Sequence, residues 1–332
     1  MKAWFPFIIL TILTALLVWW GRDFILFWDT VQFTGKHGLW YYEQGVFSGL
    51  LPEQLDSGHP PFFGMYQAAV WKLFGKNLTV ACFSLLPFLI LNIYFSLRCG
   101  RLILGDRGWL FPVALGTSPF YLGHSILSSP DIILVTGFLV TLYGVLARKR
   151  RYIYAGSILL CLISLRGFAV AVALFLFQAI DLYQQKEKLR NIFRKCLSLF
   201  GPAFLFFVIY QIYHWTQTRW VGFHDASPWS GSFGVVDLKT AFRNSLVFVW
   251  RLADYGMMLV YLMLGYFLLF RKQWPRLLSL LLILLLIFGF LIIPFQGLLN
   301  HRYFIPIQLV SMLLILYYLK SYKVLYLSLI HI

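Results

Sequence analysis

Two acids, two histidines and two arginines stand where this sequence leaves its apolar segments, and their types suit proton abstraction beside a phosphate. Asp29 follows Phe27-Trp28 at the end of the first apolar run, and the turn Gly58-His59-Pro60-Pro61-Phe62-Phe63 comes after it. A carboxylate held among aromatic residues can act as general base once a substrate hydroxyl comes within about 2.6 to 3.2 Å. His59, its backbone restricted by two prolines, could bind a phosphate as imidazolium or hydrogen-bond one while neutral. Near the other end, Asn300-His301-Arg302-Tyr303-Phe304-Ile305-Pro306 places three polar side chains at a helix mouth. Arg302 is the candidate phosphate clamp, because guanidinium offers forked donors matched to phosphate oxygens. His301 is a second candidate phosphate ligand.

Asp131, Arg166 and Tyr303 form an auxiliary set. Ser128-Ser129-Pro130-Asp131 also reads as an ordinary helix start, with Ser129 as cap, Pro130 in the first turn and Asp131 stabilised by the helix dipole. His124, one helix end earlier, is open to either reading. Asp29, His59 and Arg302 are expected to line one cavity, and Arg166, and Arg251 with Asp254, could line the same cavity or simply snorkel to headgroups.

The elements that must position these groups are membrane helices. Hydrophobic residues make up 60% of the 332 positions, charged residues 12%, and mean hydropathy is +0.77, too apolar for one soluble core. A helix needs about 20 apolar residues to cross a hydrocarbon core of ~30 Å. Ten such runs are expected, at 4–22, 78–97, 109–123, 131–147, 152–165, 167–181, 197–214, 255–270, 277–294 and 303–319. The first has no small-residue cleavage site and reads as a retained span, not a signal peptide. With both termini inside, 18 of the 28 Lys and Arg face inward and 9 of the 12 acids face outward. The positive-inside bias therefore predicts cytoplasmic termini and two large outer loops, 23–77 and 215–254, within a single domain, 1–332. The net charge of +16 reflects that bias, and no aromatic-basic platform for nucleic acid accompanies it. The Arg148 to Arg151 cluster reads as a topology anchor.

In the first outer loop, Leu39 to Leu51 suits a helix lying in the interface. Phe62 to Phe74 reads as a second juxtamembrane helix ending at Gly75, with Lys72 and Lys76 reaching for headgroups. In the second loop, Trp220 and Trp229 among small polar residues could stack on sugar faces as acceptor contacts, or form an aromatic belt. Cys82, Cys99, Cys161 and Cys196 stand singly and suggest neither disulfides nor zinc. Asn77-Leu78-Thr79 is a formal glycosylation sequon that abuts a span. No internal repeat of the transporter kind is visible.

These residues together resemble the polyprenyl-phosphate-dependent glycosyltransferases of the membrane GT-C class, in particular the protein mannosyltransferase and aminoarabinose transferase group. The resemblance rests on Asp29 after the first span, the His59-Pro60-Pro61-Phe62 turn before an aromatic helix ending Leu73-Phe74-Gly75, Asp131 opening a later span, and Arg302-Tyr303-Phe304-Ile305-Pro306. It extends over almost the whole chain, although each motif is short. It implies an all-α polytopic fold and an inverting transfer, at the outer face of a bacterial cytoplasmic membrane, from a polyprenyl-phosphate-linked sugar to a lipid, glycan or protein hydroxyl. Asp29 would be the base, and basic groups would stabilise the departing lipid phosphate.

Two departures from that group stand out. Thr30 follows Asp29 where a second acid is common, so no adjacent acidic pair supports a divalent metal, and no cofactor is assigned. His59 stands where many relatives of the aminoarabinose branch have Lys, which moves the phosphate role toward Arg302. The end at Ile332 fits either a short version or an incomplete C-terminus. A non-enzymatic lipid-linked glycan transporter or flippase is the alternative from another class, and a structural membrane subunit a third.

Overall fold

The computed structural model describes residues 4–222, 224–227, 230–232, 234–271, 274–295 and 300–320. They are helical apart from connecting turns and one isolated bridge between Val235 and Phe295. The first helix, α1 (Phe5–Gly21), leads through the Asp29 turn into a π-helical segment, Val31–His37, and then α2 (Gly38–Gln44). After the His59 turn come α3 (Phe62–Phe74), α4 (Leu78–Phe83), α5 (Leu86–Leu104), α6 (Leu110–Thr117) and α7 (Pro119–Ser125). A helical hairpin follows, α8 (Asp131–Leu146) and α9 (Arg150–Ile163), then α10 (Leu165–Gln184) and the 30-residue α11 (Leu189–Thr218). The remainder is α12 (Leu238–Ala253), α13 (Met257–Arg271), α14 (Leu277–Ile292), a 3-10 turn His301–Phe304, and α15 (Ile305–Leu319).

Each of the ten expected apolar runs falls on helix. Among the described residues, four helical stretches are long and apolar enough to cross a membrane by themselves, and α12 with α13, bent by 93°, passes the same test as a pair. Phe5–Gly21, Asp131–Leu146 and Leu277–Ile292 are apolar but shorter. The run at 109–123 is broken at Ser118-Pro119 into α6 and α7, because Pro cannot continue the helix hydrogen bonding.

The centre of the bundle is α8 and α15. Every residue of α8 from Asp131 to Val145 is buried, and α15 is buried along almost all its length. A helix apolar on all sides is stable only when surrounded. Glycines let α9 approach α8 closely: a Cβ on Gly156 would collide with Thr141, and one on Gly144 with the backbone of Ile153.

The juxtamembrane helix expected at 62–74 is α3, ended by Gly75 at φ 95°. The interface helix expected at 39–51 is different. Helical structure begins at Val31 and stops at Gly45, whose φ of 115° only glycine adopts readily. Tyr41 is fully buried with Leu51 and Ala68 in a small core of its own, so this helix packs on protein through α3.

Candidate functional site

Three helical N-termini meet on one side of the bundle, and each delivers a charged residue. Asp131 opens α8, Arg166 sits in the first turn of α10, and Arg302 lies in the 3-10 turn that leads into α15. Ser164 caps α10, its hydroxyl accepting from the Gly167 N–H at 3.0 Å. The expected cap of α8 is corrected: Ser129 donates to the Asp131 carboxylate at 3.1 Å, and no side chain caps that helix. Proline at the preceding position, with no N–H of its own, and the carboxylate as a stronger acceptor redirect the hydroxyl.

Asp29 is held by a tight local turn. Trp28 adopts φ 50°, and the Thr30 hydroxyl accepts from the Phe27 N–H and donates to the Phe27 carbonyl, both at 2.7 Å. The Asp29 carboxylate is ion-paired with Arg302, whose guanidinium also lies 3.9 Å from Asp131. Arg166 binds Asp131 at 2.5 Å, and His124 Nδ1 stands 3.8 Å from the same carboxylate. Both guanidiniums lie over the Tyr303 ring, Arg166 at 4.7 Å and Arg302 at 5.3 Å. The Asp131 side chain is 3% exposed and that of Arg302 10%, so these charges meet away from bulk water. Such burial is tolerated because each charge faces an opposite one.

Arg302 forms a wall common to two chambers. The polar one, about 250 Å³, is lined by Trp28, Asp29, His124, Asp131, His301 and Arg302 among others. The apolar one, about 270 Å³, is lined by Phe33, His59, Arg166, Leu291, Arg302 and Tyr303 among others. Asp29 and His59 therefore do not share a cavity, contrary to the sequence expectation; Arg302 stands between them. The physical reason lies in the 23–77 loop, where packing of the Val31–His37 segment puts the Phe33 ring against His59, 6.1 Å between centroids.

His59 lies in the 23–77 loop with Nδ1 fully enclosed and without a hydrogen-bond partner among the described residues. Burial, followed by the positive charges of Arg166 and Arg302, pushes its imidazole from 6.5 down to about 3. Of the two phosphate-binding forms considered from sequence, the neutral one is present at physiological pH. Nη1 of Arg166 and Nε of Arg302 are likewise enclosed without hydrogen-bond partners. Unpaired buried donors cost free energy that an incoming anion's oxygens would recover. Positive helix N-termini add to that preference.

His301 lines the polar chamber but is engaged from behind. Its Nε2 pairs with Asp254 and lies 2.9 Å from Arg251, while Tyr255 packs on its ring at 4.8 Å. Burial opposes charge on Asp254, but hydrogen bonds from His301 and Arg251 outweigh it and hold that carboxyl below the usual range. Trp220 lines neither chamber; it packs on His214 and His224, both at 4.4 Å. Trp229 and the stretch Gln296 to Leu299 lie outside the described residues.

Asp56 and His214 went unnoticed in sequence. Both are buried, and His214 Nε2 meets Asp56 Oδ2 at 2.9 Å. The usable signal was a histidine at the end of the apolar run 197–214, since an ionisable residue inside such a segment needs a partner. Among the described residues no cluster of three His, Cys, Asp or Glu has a metal-holding arrangement.

All-helical architecture, long apolar helices and two buried central helices mark a multi-pass membrane protein with a charged cluster at the helix N-termini. Its fold is similar to that of ArnT from Cupriavidus metallidurans bound to undecaprenyl phosphate, at TM-score 0.61 and 13% identity. The similarity covers 94% of this chain and 59% of that one, so the chain spans about three fifths of the length of ArnT. No family model and no curated protein matches the sequence.

Proposed function

We propose that this protein is a membrane glycosyltransferase that moves a sugar from a polyprenyl-phosphate donor to an acceptor hydroxyl with inversion. The observation that carries the reading is Arg302 as the common wall between an acid-bearing polar chamber and an apolar one. The apolar chamber shares Leu165 and Leu291 with a further groove of about 630 Å³, lined by Phe168, Phe207, Leu286 and Phe290 between α10, α11 and α14. A donor with a long apolar tail, a phosphate and a polar sugar has the same sequence of polarities. The fold likeness to a protein captured with undecaprenyl phosphate supports that donor class.

In this reading the tail lies in the groove, and the phosphate meets Arg302, Arg166 and neutral His59. The sugar enters the polar chamber. Asp29 takes the proton as the acceptor oxygen attacks the anomeric carbon, and the bond to the phosphate breaks with its electron pair leaving on the phosphate. The guanidiniums stabilise the charge that develops there. His301, held by Asp254 and Arg251, faces the sugar side, and Asp131 fixes Arg166 and flanks Arg302. The site belongs on the outer face of the cytoplasmic membrane, as the distribution of Lys and Arg favours.

Asp29→Asn keeps the shape and removes the base. Purified variant and wild type are to be compared for sugar transfer from a polyprenyl-phosphate donor, with a loss of about 10²- to 10⁴-fold expected. Wild-type transfer by the variant would overturn the role of Asp29, and transport without any transfer by wild type would favour a flippase.

A further inference from the structure

The His59 turn is fastened to a distant helix by a buried set of contacts that the transfer chemistry does not use. Asp56 accepts from the Gly58 N–H through Oδ1 at 2.8 Å and meets His214 Nε2 through Oδ2 at 2.9 Å. An ionised carboxylate can only accept, so the imidazole nitrogen facing it carries the proton. The other nitrogen, Nδ1, faces the Trp220 carbonyl and the Thr218 hydroxyl, each at 3.3 Å. One turn earlier on α11, the Tyr210 hydroxyl donates to the His59 carbonyl at 3.1 Å. Gly58, at φ 69°, lies so close to the Gly222 carbonyl that a Cβ would collide with it. Residues 56 to 59 are thus held from the carboxylate, the backbone and the far side by the end of α11 and the segment after it.

Burying the Asp56 and His214 pair at the centre of this clamp is expensive unless its partners are satisfied, which ties its survival to a defined geometry. That geometry sets the His59 ring against Phe33 on the wall of the apolar chamber, which Arg166 and Arg302 also line, with Nδ1 enclosed. We infer that Asp56 and His214 are positioning residues for the lipid phosphate: they hold the His59 turn so that His59, Arg166 and Arg302 present their donors together. The inference rests on the donor class proposed above. It makes α11, which contributes Phe207 to the tail groove, the element that also fixes the phosphate end.

The test is direct binding of undecaprenyl phosphate to protein in lipid nanodiscs, measured alongside the donor KM and kcat of transfer. Asp56→Ala and His214→Ala are expected to weaken binding about 10-fold or more and to raise donor KM, with kcat within about 3-fold of wild type. Asp56→Asn, which retains an acceptor for Gly58 or His214, should restore binding to within about 3-fold of wild type. Folded Asp56→Ala that binds as wild type does, or Asp56→Asn as impaired as Asp56→Ala, would overturn the inference. Should the alanine variants fail to fold, Tyr210→Phe removes a single hydroxyl and carries the test, with binding about 3-fold weaker expected and unchanged binding refuting it. Wild type that binds the lipid without transferring sugar refutes the proposed function and leaves the clamp supported by the binding series.

Discussion

Replacing Arg302 by Lys keeps a positive charge but removes the fork that lets one side chain face both chambers. The guanidinium is ion-paired with Asp29, stands 3.9 Å from Asp131 and reaches the Tyr303 hydroxyl at 3.5 Å. At 3.9 Å and an effective dielectric of about 20, the pairing with Asp131 alone corresponds to about 4 kcal/mol of Coulombic attraction before solvation costs, and the closer Asp29 adds to it. Removing one partner from a buried charge cluster costs about 3 to 5 kcal/mol, and losing one donor to a developing oxyanion costs about 10²- to 10³-fold in kcat. Arg302→Gln should therefore lose about 10³-fold in transfer rate, and Arg302→Lys about 10²-fold, since an ammonium cannot bridge two acids and a phosphate at once. The assay is single-turnover sugar transfer from a polyprenyl-phosphate donor, combined with a double-mutant cycle against Asp29→Asn. Direct contact predicts a coupling of about 1 kcal/mol or more. Additive effects, or Arg302→Lys with more than half of wild-type rate, would refute the view that this guanidinium joins the base to the phosphate.

Acid should loosen the 23–77 loop before the bundle. Burial holds His59 near about 3 and His37 near about 4 against an ordinary 6.5, so both are neutral in the folded loop and bind fewer protons there than in the unfolded chain. Their stabilisation is complete above about pH 6.5 and falls as pH drops toward those values, by up to about 2 kcal/mol each at pH 5. Hydrogen exchange at pH 7 and pH 5, corrected for intrinsic rates, should show lost protection at 31–61 relative to α8; equal loss in both refutes it. Gly58→Ala must strain a positive φ and displace the Gly222 carbonyl, so a destabilisation of about 2 kcal/mol or more is expected in thermal unfolding, with weaker lipid-phosphate binding. Leu291→Trp should fill the passage between the apolar chamber and the groove, raising KM for long-chain donors at least 10-fold while a short-chain analogue is little affected. Equal effects on both donors would place the tail elsewhere.

Much of the fold was legible because apolar run length and helix geometry are tied to bilayer thickness. Phe62 to Phe74 could be bounded to the residue, since prolines precede it and Gly75 ends it. The Leu39 to Leu51 helix was misplaced because its aromatic residues suggested a membrane surface, whereas Tyr41 is buried against the neighbourhood of α3. Single residues behaved differently from elements. Arg302 stood out in sequence by its unfavourable place at a helix mouth, whereas the packing of Trp220 on two histidines was not legible, because an aromatic residue in a polar loop looks alike whether it touches a sugar or supports a histidine.

By itself the sequence determined that lipid is the solvent, that the elements are helices, where the apolar ones lie, and that a small set of charged residues stands at their ends. Those are local properties, set by hydrophobicity, proline and glycine over a few turns of chain. Only the tertiary structure decided which charges meet: Asp29 with Arg302, Asp131 with Arg166, and Asp56 with His214. It also separated His59 from Asp29 and put Arg302 between them. Coulombic and hydrogen-bond partners are chosen by distances of a few ångströms, and these are fixed by how buried helices such as α8 and α15 pack, which no stretch of sequence encodes alone.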